Sequence, residues 1–156
     1  MACVVPGKSC SVERPLSFAP LAGLVWQGKS TYLRNEPCRL GQLTAGEPPK
    51  PSAIDEECAV ILTRFEVARR GGAKDATPDE FRRRGLRTAG KYTGSGESLV
   101  YVSLKSGWLV SLTQSVTEEM DVTVRAPEQG SDVRNTGRAQ SLSRITLVPA
   151  SAPVAP

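Results

Sequence analysis

Residues Gly23-Leu24-Val25-Trp26-Gln27-Gly28-Lys29-Ser30 satisfy the phosphate-loop pattern G-x-x-x-x-G-K-[ST]. In such a loop the backbone amides cradle phosphates, the lysine reaches the terminal phosphates and the hydroxyl holds Mg²⁺. The context opposes that chemistry. The spacer Leu-Val-Trp-Gln is bulky and strand-forming where the loop must curl. Thr31 to Arg39 contains Pro37 and is poor for the helix whose N-terminus should face the phosphates. No apolar strand ending in Asp follows to hold the metal. The segment reads instead as a strand, Leu24 to Leu33, with a glycine bulge at Gly28. Gly94-Ser95-Gly96-Glu97-Ser98 is also glycine-rich, but it opens a strand rather than a helix, and Tyr92 to Gly96 reads as a turn.

Other reactive groups fare no better. The chain has no histidine, which removes the commonest general base near neutral pH and imidazole ligation of zinc. Glu118, Glu119 and Asp121 could act as paired carboxylates only if they converged. Neighbours on a strand point to opposite faces, so Glu118 and Glu119 cannot converge, and Glu119 with Asp121 reads as solvent-facing polarity. Arg64, Arg69, Arg70, Lys74, Arg82, Arg83, Arg84, Arg87 and Lys91 form a basic region. Aromatic residues for base stacking are sparse there, and acids dilute it, so a solvated face is expected rather than a nucleic-acid site. No catalytic residue, cofactor site or metal site emerges, and an enzyme is the least favoured class.

The four cysteines are Cys3, Cys10, Cys38 and Cys58. None forms a C-x-x-C pair, which argues against structural zinc and thioredoxin-like chemistry. The favoured pairing is Cys38 with Cys58 across a proline-rich loop, leaving Cys3 with Cys10. That requires an oxidising compartment; the alternative is four reduced thiols in the cytosol.

The elements that would position a site are mostly strands. From Leu99 to Arg125 apolar residues recur at even positions, namely Val100, Val102, Leu104, Trp108, Val110, Leu112, Val116, Met120, Val122 and Val124. Period two means strand with one buried face. Leu99–Leu104 reads as one strand, Lys105-Ser106-Gly107 as its turn, and Trp108–Arg125 as a second. The second strand would run beyond about 50 Å, so a bend or break is expected, at Thr117-Glu118-Glu119, with the same face buried on either side. Trp108 is read on the buried side. Cys58 to Ala68 is another strand, with Arg64 and Glu66 facing water. Thr77-Pro78-Asp79-Glu80 matches a capping box opening a short helix near 78–84, stopped by Gly85. Residues 34–55 and 126–141 read as loops, and Leu142 to Val148 as a closing strand.

Bulk composition agrees with a modest core. The chain of 156 residues is 39% hydrophobic and 5% aromatic, carries 14 Gly and 12 Pro, and has a net charge of +4. The expected organisation is an extended arm over residues 1–20, one β-rich domain over 21–148 and a disordered tail over 149–156. No run of about 18 apolar residues suggests a membrane span. Met1 is followed by no basic region and apolar core, so no signal peptide is visible.

The runs Glu57-Cys58-Ala59-Val60-Ile61-Leu62, Gly94 to Val102, Lys105 to Leu112 and Met120-Asp121-Val122 resemble uncharacterised bacterial envelope proteins, many of them lipoproteins, in which a G-x-L-V-S hairpin feeds a very long curved strand. The resemblance spans about residues 57–125 and brings no catalytic residues. It implies a periplasmic or lipoprotein-like setting, from which the missing signal peptide departs.

The resulting expectation is a mainly β protein (α+β at most), a strongly curved antiparallel sheet or half-barrel with one short helix. Its function is expected to be non-enzymatic, binding a partner protein or an apolar small molecule on a face that includes Val100, Val102, Trp108, Val110 and Leu112. A structural or assembly subunit with proline-rich arms that order on docking is the alternative. The expected compartment is periplasmic or extracellular, with the cytoplasm as the alternative for want of a signal peptide. Nucleic acid is not an expected partner.

Overall fold

The alternating stretches become strands of one antiparallel sheet. The computed structural model describes residues 5–16, 20–40, 50–51, 55–71 and 75–147. Its strands are β1 (Ser9–Pro15), β2 (Leu24–Pro37), β3 (Arg39–Leu40), β4 (Lys50–Pro51), β5 (Glu57–Arg69), β6 (Arg87–Ser103), β7 (Leu109–Ala126) and β8 (Ser131–Thr146), with helix α1 (Asp79–Arg83) between β5 and β6. Six strands form one open sheet in the order β1-β2-β5-β6-β7-β8, and β3 pairs with β4 apart from it. The mainly β class with one short helix is as expected. Residues 1–4, 41–49 and 148–156 lie outside the described residues, and with them most of the expected tail.

Strand registers sort side chains onto two faces. Cys58 opposes Ser103, Val60 opposes Tyr101 and Arg64 opposes Glu97, and these share what we term the flap face. Phe65 opposes Gly28 and Gly96, and Val67 opposes Trp26, so these share the other, aromatic face. Each face has its own core, at opposite ends of the sheet. On the flap face, at the disulfide end, Cys58, Val60, Tyr101 and Val110 pack with Cys38. The chain leaving β2 through Cys38 crosses this face, and Ser111 Oγ donates to the Arg39 carbonyl at 2.8 Å. On the aromatic face, at the helix end, Leu24 and Val122 pack with Leu21, flanked by Val67, Tyr92 and Met120.

This arrangement explains why β7 needs no break. The expected break at Thr117-Glu118-Glu119 is absent, since pairing with β8 runs from Ser111 to Ala126 without a shift. The irregularity lies at the strand's start, between Tyr101/Ser111 and Val102/Leu109. Nor does one face stay buried along β7. Ser111 on the flap face and Val122 on the aromatic face are both buried. A strand too long for one core is served by two.

Several expected loops are strands. Tyr92 to Gly96 lies within β6, not in a turn. A side chain at Gly96 would place its Cβ 2.7 Å from the Phe65 ring and 2.5 Å from the Ser115 carbonyl oxygen, and one at Gly94 would meet the Trp26 ring at 2.7 Å. Trp26 and Phe65 meet edge to face, 5.3 Å apart. The glycines are therefore seats for aromatic rings, Phe65 from the adjacent β5 and Trp26 from β2 beyond it. Gly28 likewise pairs in register with Phe65, and the β2 bulge falls at Leu33, between Tyr32 and Arg34. Residues 131–141 form most of β8 rather than a loop. Part of the expected N-terminal arm is β1, paired along its length with β2.

The helix occupies the expected place and ends at Gly85, whose φ of 71° suits glycine. Its capping box does not form. The Thr77 side chain is buried and accepts the Thr88 amide at 3.0 Å, so it caps nothing and ties the helix to β6.

Cys38 and Cys58 form the expected disulfide, 20 residues apart. Cys10 is also disulfide-bonded, while Cys3 lies outside the described residues. Replacing Cys38 and Cys58 with alanine is expected to lower unfolding free energy by about 3 kcal/mol, as for a loop of this length. Gly96→Ala is expected to cost about 1–3 kcal/mol by overpacking against Phe65 and the β7 backbone. Urea unfolding followed by circular dichroism measures both.

Candidate functional site

Among the described residues, two cores on opposite faces leave half of each face outside them, and these halves differ in chemistry. The open half of the flap face is polar. A cavity of about 680 Å³ there is lined by Gln27, Lys29, Arg64, Glu66, Ser95 and Glu97, among others. Arg64 and Glu97 pair across strands at 3.5 Å, both largely exposed. Opposite charges are interleaved along this surface, so it presents no single-sign field to a ligand.

The open half of the aromatic face is apolar. One cross-strand row runs Ile145, Leu112, Val100, Ile61 and Tyr32, through β8, β7, β6, β5 and β2. The next row holds Leu109, Val102 and Ala59. Tyr32 and Ala59 in these rows are buried, whereas Ile61, Val100, Val102 and Leu112 are only half-buried, and none of the six belongs to either core. Ile145 is 54% exposed, and at the same end of the sheet Leu104 and Trp108 are 48% and 65% exposed. Apolar atoms on a surface are ordinary one at a time; a row spanning several strands is not.

Of the residues expected on the binding face, Val100, Val102 and Leu112 thus lie together. Trp108 is at the end of the β6–β7 turn and is exposed, not on a buried strand face. Ser103 closes that turn, its amide donating to the Trp108 carbonyl at 2.9 Å, and β7 begins one residue later. Val110 is displaced altogether. The bulge at Leu109 and Val110 turns it into the flap-face core, where it is fully buried. Ile61, Leu109 and Ile145 were missed. Ile61 and Ile145 sit in apolar runs of their own, but only the register aligns those runs with Val100 and Leu112.

Polar groups with a chemical look turn out to be structural. Ser103 Oγ is hydrogen-bonded to Glu56, a serine–carboxylate pair, yet Ser103 is buried and its Oγ also accepts the amides of Lys105 and Ser106 at 3.2 and 3.0 Å. It fixes the β6–β7 turn. Glu118 and Glu119 diverge as expected. Glu118 accepts the Tyr92 hydroxyl at 2.7 Å on the aromatic face, while Glu119 meets Arg138 at 3.4 Å on the other. Asp121 accepts both Arg134 Nε and Nη2, at 2.9 and 2.8 Å, and this holds its carboxyl below the usual range. The basic region is dispersed: Arg70 pairs with Glu13, Arg82 with Asp79 and Arg84 with Glu80, and Lys74 lies outside the described residues. The phosphate-loop sequence runs straight into β2, with Gly28 and Lys29 paired on the strand. Among the described residues no three acidic or cysteine side chains gather as a metal site, and no helix is long and apolar enough to cross a membrane.

No family model, no curated protein and no solved structure matches this chain.

Under the flap, Tyr101 donates to Glu36 Oε1 at 2.5 Å and Arg34 Nε donates to Oε2 at 2.7 Å. Burial, then the Glu36 hydrogen bond and charge, push Tyr101 up to about 12. Burial works against ionised Glu36, but the Tyr101 and Arg34 hydrogen bonds and the charges of Arg34 and Arg39 outweigh it and lower its pKa. Tyr92 is likewise raised to about 12, by burial and then by Glu118. A tyrosine raised in the folded state contributes stability below its unfolded value, near 10, and that contribution is lost as pH rises through the folded value. Tyrosinate absorbance of the native protein should therefore show Tyr92 and Tyr101 ionising near pH 12, with unfolding free energy falling from about pH 10 upward. Tyr101→Phe should reduce that fall.

Proposed function

We propose that this protein is a non-enzymatic envelope protein that binds a partner protein through the apolar half of its aromatic face. The observation that carries the reading is the row Ile145–Leu112–Val100–Ile61, four strands wide and outside both cores. Covering such a row with apolar surface removes it from water, at about 25 cal/mol per Å². A partner protein fits better than an apolar small molecule. Small-molecule sites are concave and enclose most of their ligand, whereas this row lies along a sheet face and runs out to the edge strand. The described cavity of about 680 Å³ is on the other face and is polar. The placement in the periplasm or outside the cell is supported by the Cys38–Cys58 disulfide, a bond favoured in oxidising compartments.

A photo-crosslinking amino acid at Val102 tests the reading in envelope preparations of the source cell, with the same group at Arg64 on the opposite face as control. The expected result is one discrete protein adduct from position 102, absent from position 64 and lost when Leu112→Asp is added. Equal adducts from both faces, or none from position 102, would overturn it. Adducts to small molecules alone would transfer the site to a carrier function.

A further inference from the structure

We infer that the β6–β7 turn is a tip that enters the interfacial layer of a lipid bilayer, with Leu104 and Trp108 inserted and Lys105 held at the headgroup phosphates. The inference is independent of what the apolar half-face binds.

β6 ends at Ser103 and β7 begins at Leu109, so the turn stands past the ends of the two strands. Every residue from Leu104 to Leu109 is exposed. Leu104 and Trp108 flank Lys105-Ser106-Gly107, and neither belongs to a core. Tryptophan is the residue most at home where acyl chains meet headgroups, because its ring is apolar and its N–H still finds a polar partner there.

The backbone of the turn is already satisfied from within the chain. The Ser103 amide donates to the Trp108 carbonyl, Leu104 to the Glu57 carbonyl and Gly107 to the Ser103 carbonyl, each at 2.9 Å. The Lys105 and Ser106 amides donate to Ser103 Oγ at 3.2 and 3.0 Å, and the Trp108 amide donates to Ser106 Oγ at 3.3 Å. Six consecutive amides thus have acceptors, and both serine hydroxyls of the turn are spent on its own backbone. A protein that grips an extended segment gains from hydrogen bonds to its main chain. A bilayer rewards the opposite, a backbone whose donors are satisfied before it leaves water. That difference selects lipid as the occupant.

Charge decides which lipid. Lys105 has a long apolar stem that lets its ammonium reach back to phosphate while its neighbours insert. The acidic run Asp55-Glu56-Glu57 leads into β5 beside the turn, with Glu57 exposed next to Leu104. It offsets the lysine, so attachment comes from apolar insertion, and a neutral bilayer suffices.

The chain carries its own probe, since its two tryptophans are Trp26 and Trp108, and Trp26 packs against Phe65 on the sheet. With phosphatidylcholine vesicles brominated on the acyl chains, wild-type emission should shift to the blue and be quenched. In Trp108→Phe the remaining Trp26 emission should be unaffected. Co-sedimentation with the same vesicles should fall about tenfold for Trp108→Ser and for Leu104→Ser, two independent variants whose folding circular dichroism checks. Leu112→Asp, on the apolar row, should partition as wild type does. Unquenched wild-type emission, folded serine variants that bind as well as wild type, or an equal loss with Leu112→Asp would overturn the inference. Quenching of Trp26 in Trp108→Phe would do so too, since the sheet and not its tip would then lie in the lipid.

Discussion

A sheet with almost no helix to cover it must bury its faces with its own connections. Here that constraint sets everything else. The five-residue helix offers one partly buried apolar side chain, Phe81, so it cannot act as a second layer. The chain between β2 and β3 covers the flap face at one end, and the segment around Leu21 covers the aromatic face at the other. Cys38 and Cys58 sit inside the first of these cores and tie the covering chain to β5. Among the described residues this core has five buried members, and a covalent link at its centre offsets the entropy of holding the flap down. The buried hydroxyls of Ser103 and Ser111 are acceptable there because each is hydrogen-bonded.

Period two in the sequence locates strands but does not say which face each end buries. Even positions of β7 do share a face below the bulge, yet at the disulfide end the buried members are Ser111 and Val110. Sequence alternation averages over both ends and so describes one continuous face where the molecule has two half-faces. Glycine misleads for a related reason. Gly28 looks like a bulge, and Gly94 and Gly96 like turn residues, because a side chain is missing, but what fills the space comes from Trp26 and Phe65, and for Gly96 the ring belongs to a residue 31 positions earlier. Thr77 shows the same limit on a smaller scale. Its spacing to Glu80 fits a cap, and a long-range contact with Thr88 takes the hydroxyl instead.

The candidate face was legible in part, for the same physical reasons. Val100, Val102 and Leu112 were found because β6 and β7 are hairpin neighbours, so a local pattern already sets them side by side. Val110 was misplaced because one extra residue in β7 reverses its direction, and a bulge leaves no mark in a run of Leu-Val-Ser-Leu. Ile61 and Ile145 belong to strands far away in the chain. β8 itself was read as loop because a strand exposed on both faces has no reason to alternate. Its order comes from the ladder to β7 and from ion pairs such as Arg134 with Asp121, neither of which is a hydrophobic signal.

The half-face outside both cores and the open edge have a common origin. Strands of 17, 18 and 16 residues in β6, β7 and β8 extend past what two small cores can cover. A protein that needed only to be stable would gain by shortening them, because residues exposed on both faces add ordering entropy without adding burial. β8 keeps its length and, on the aromatic face, stays uncharged from Val133 to Ile145. On the flap face Asp132, Arg134 and Arg138 are turned to partners on β7.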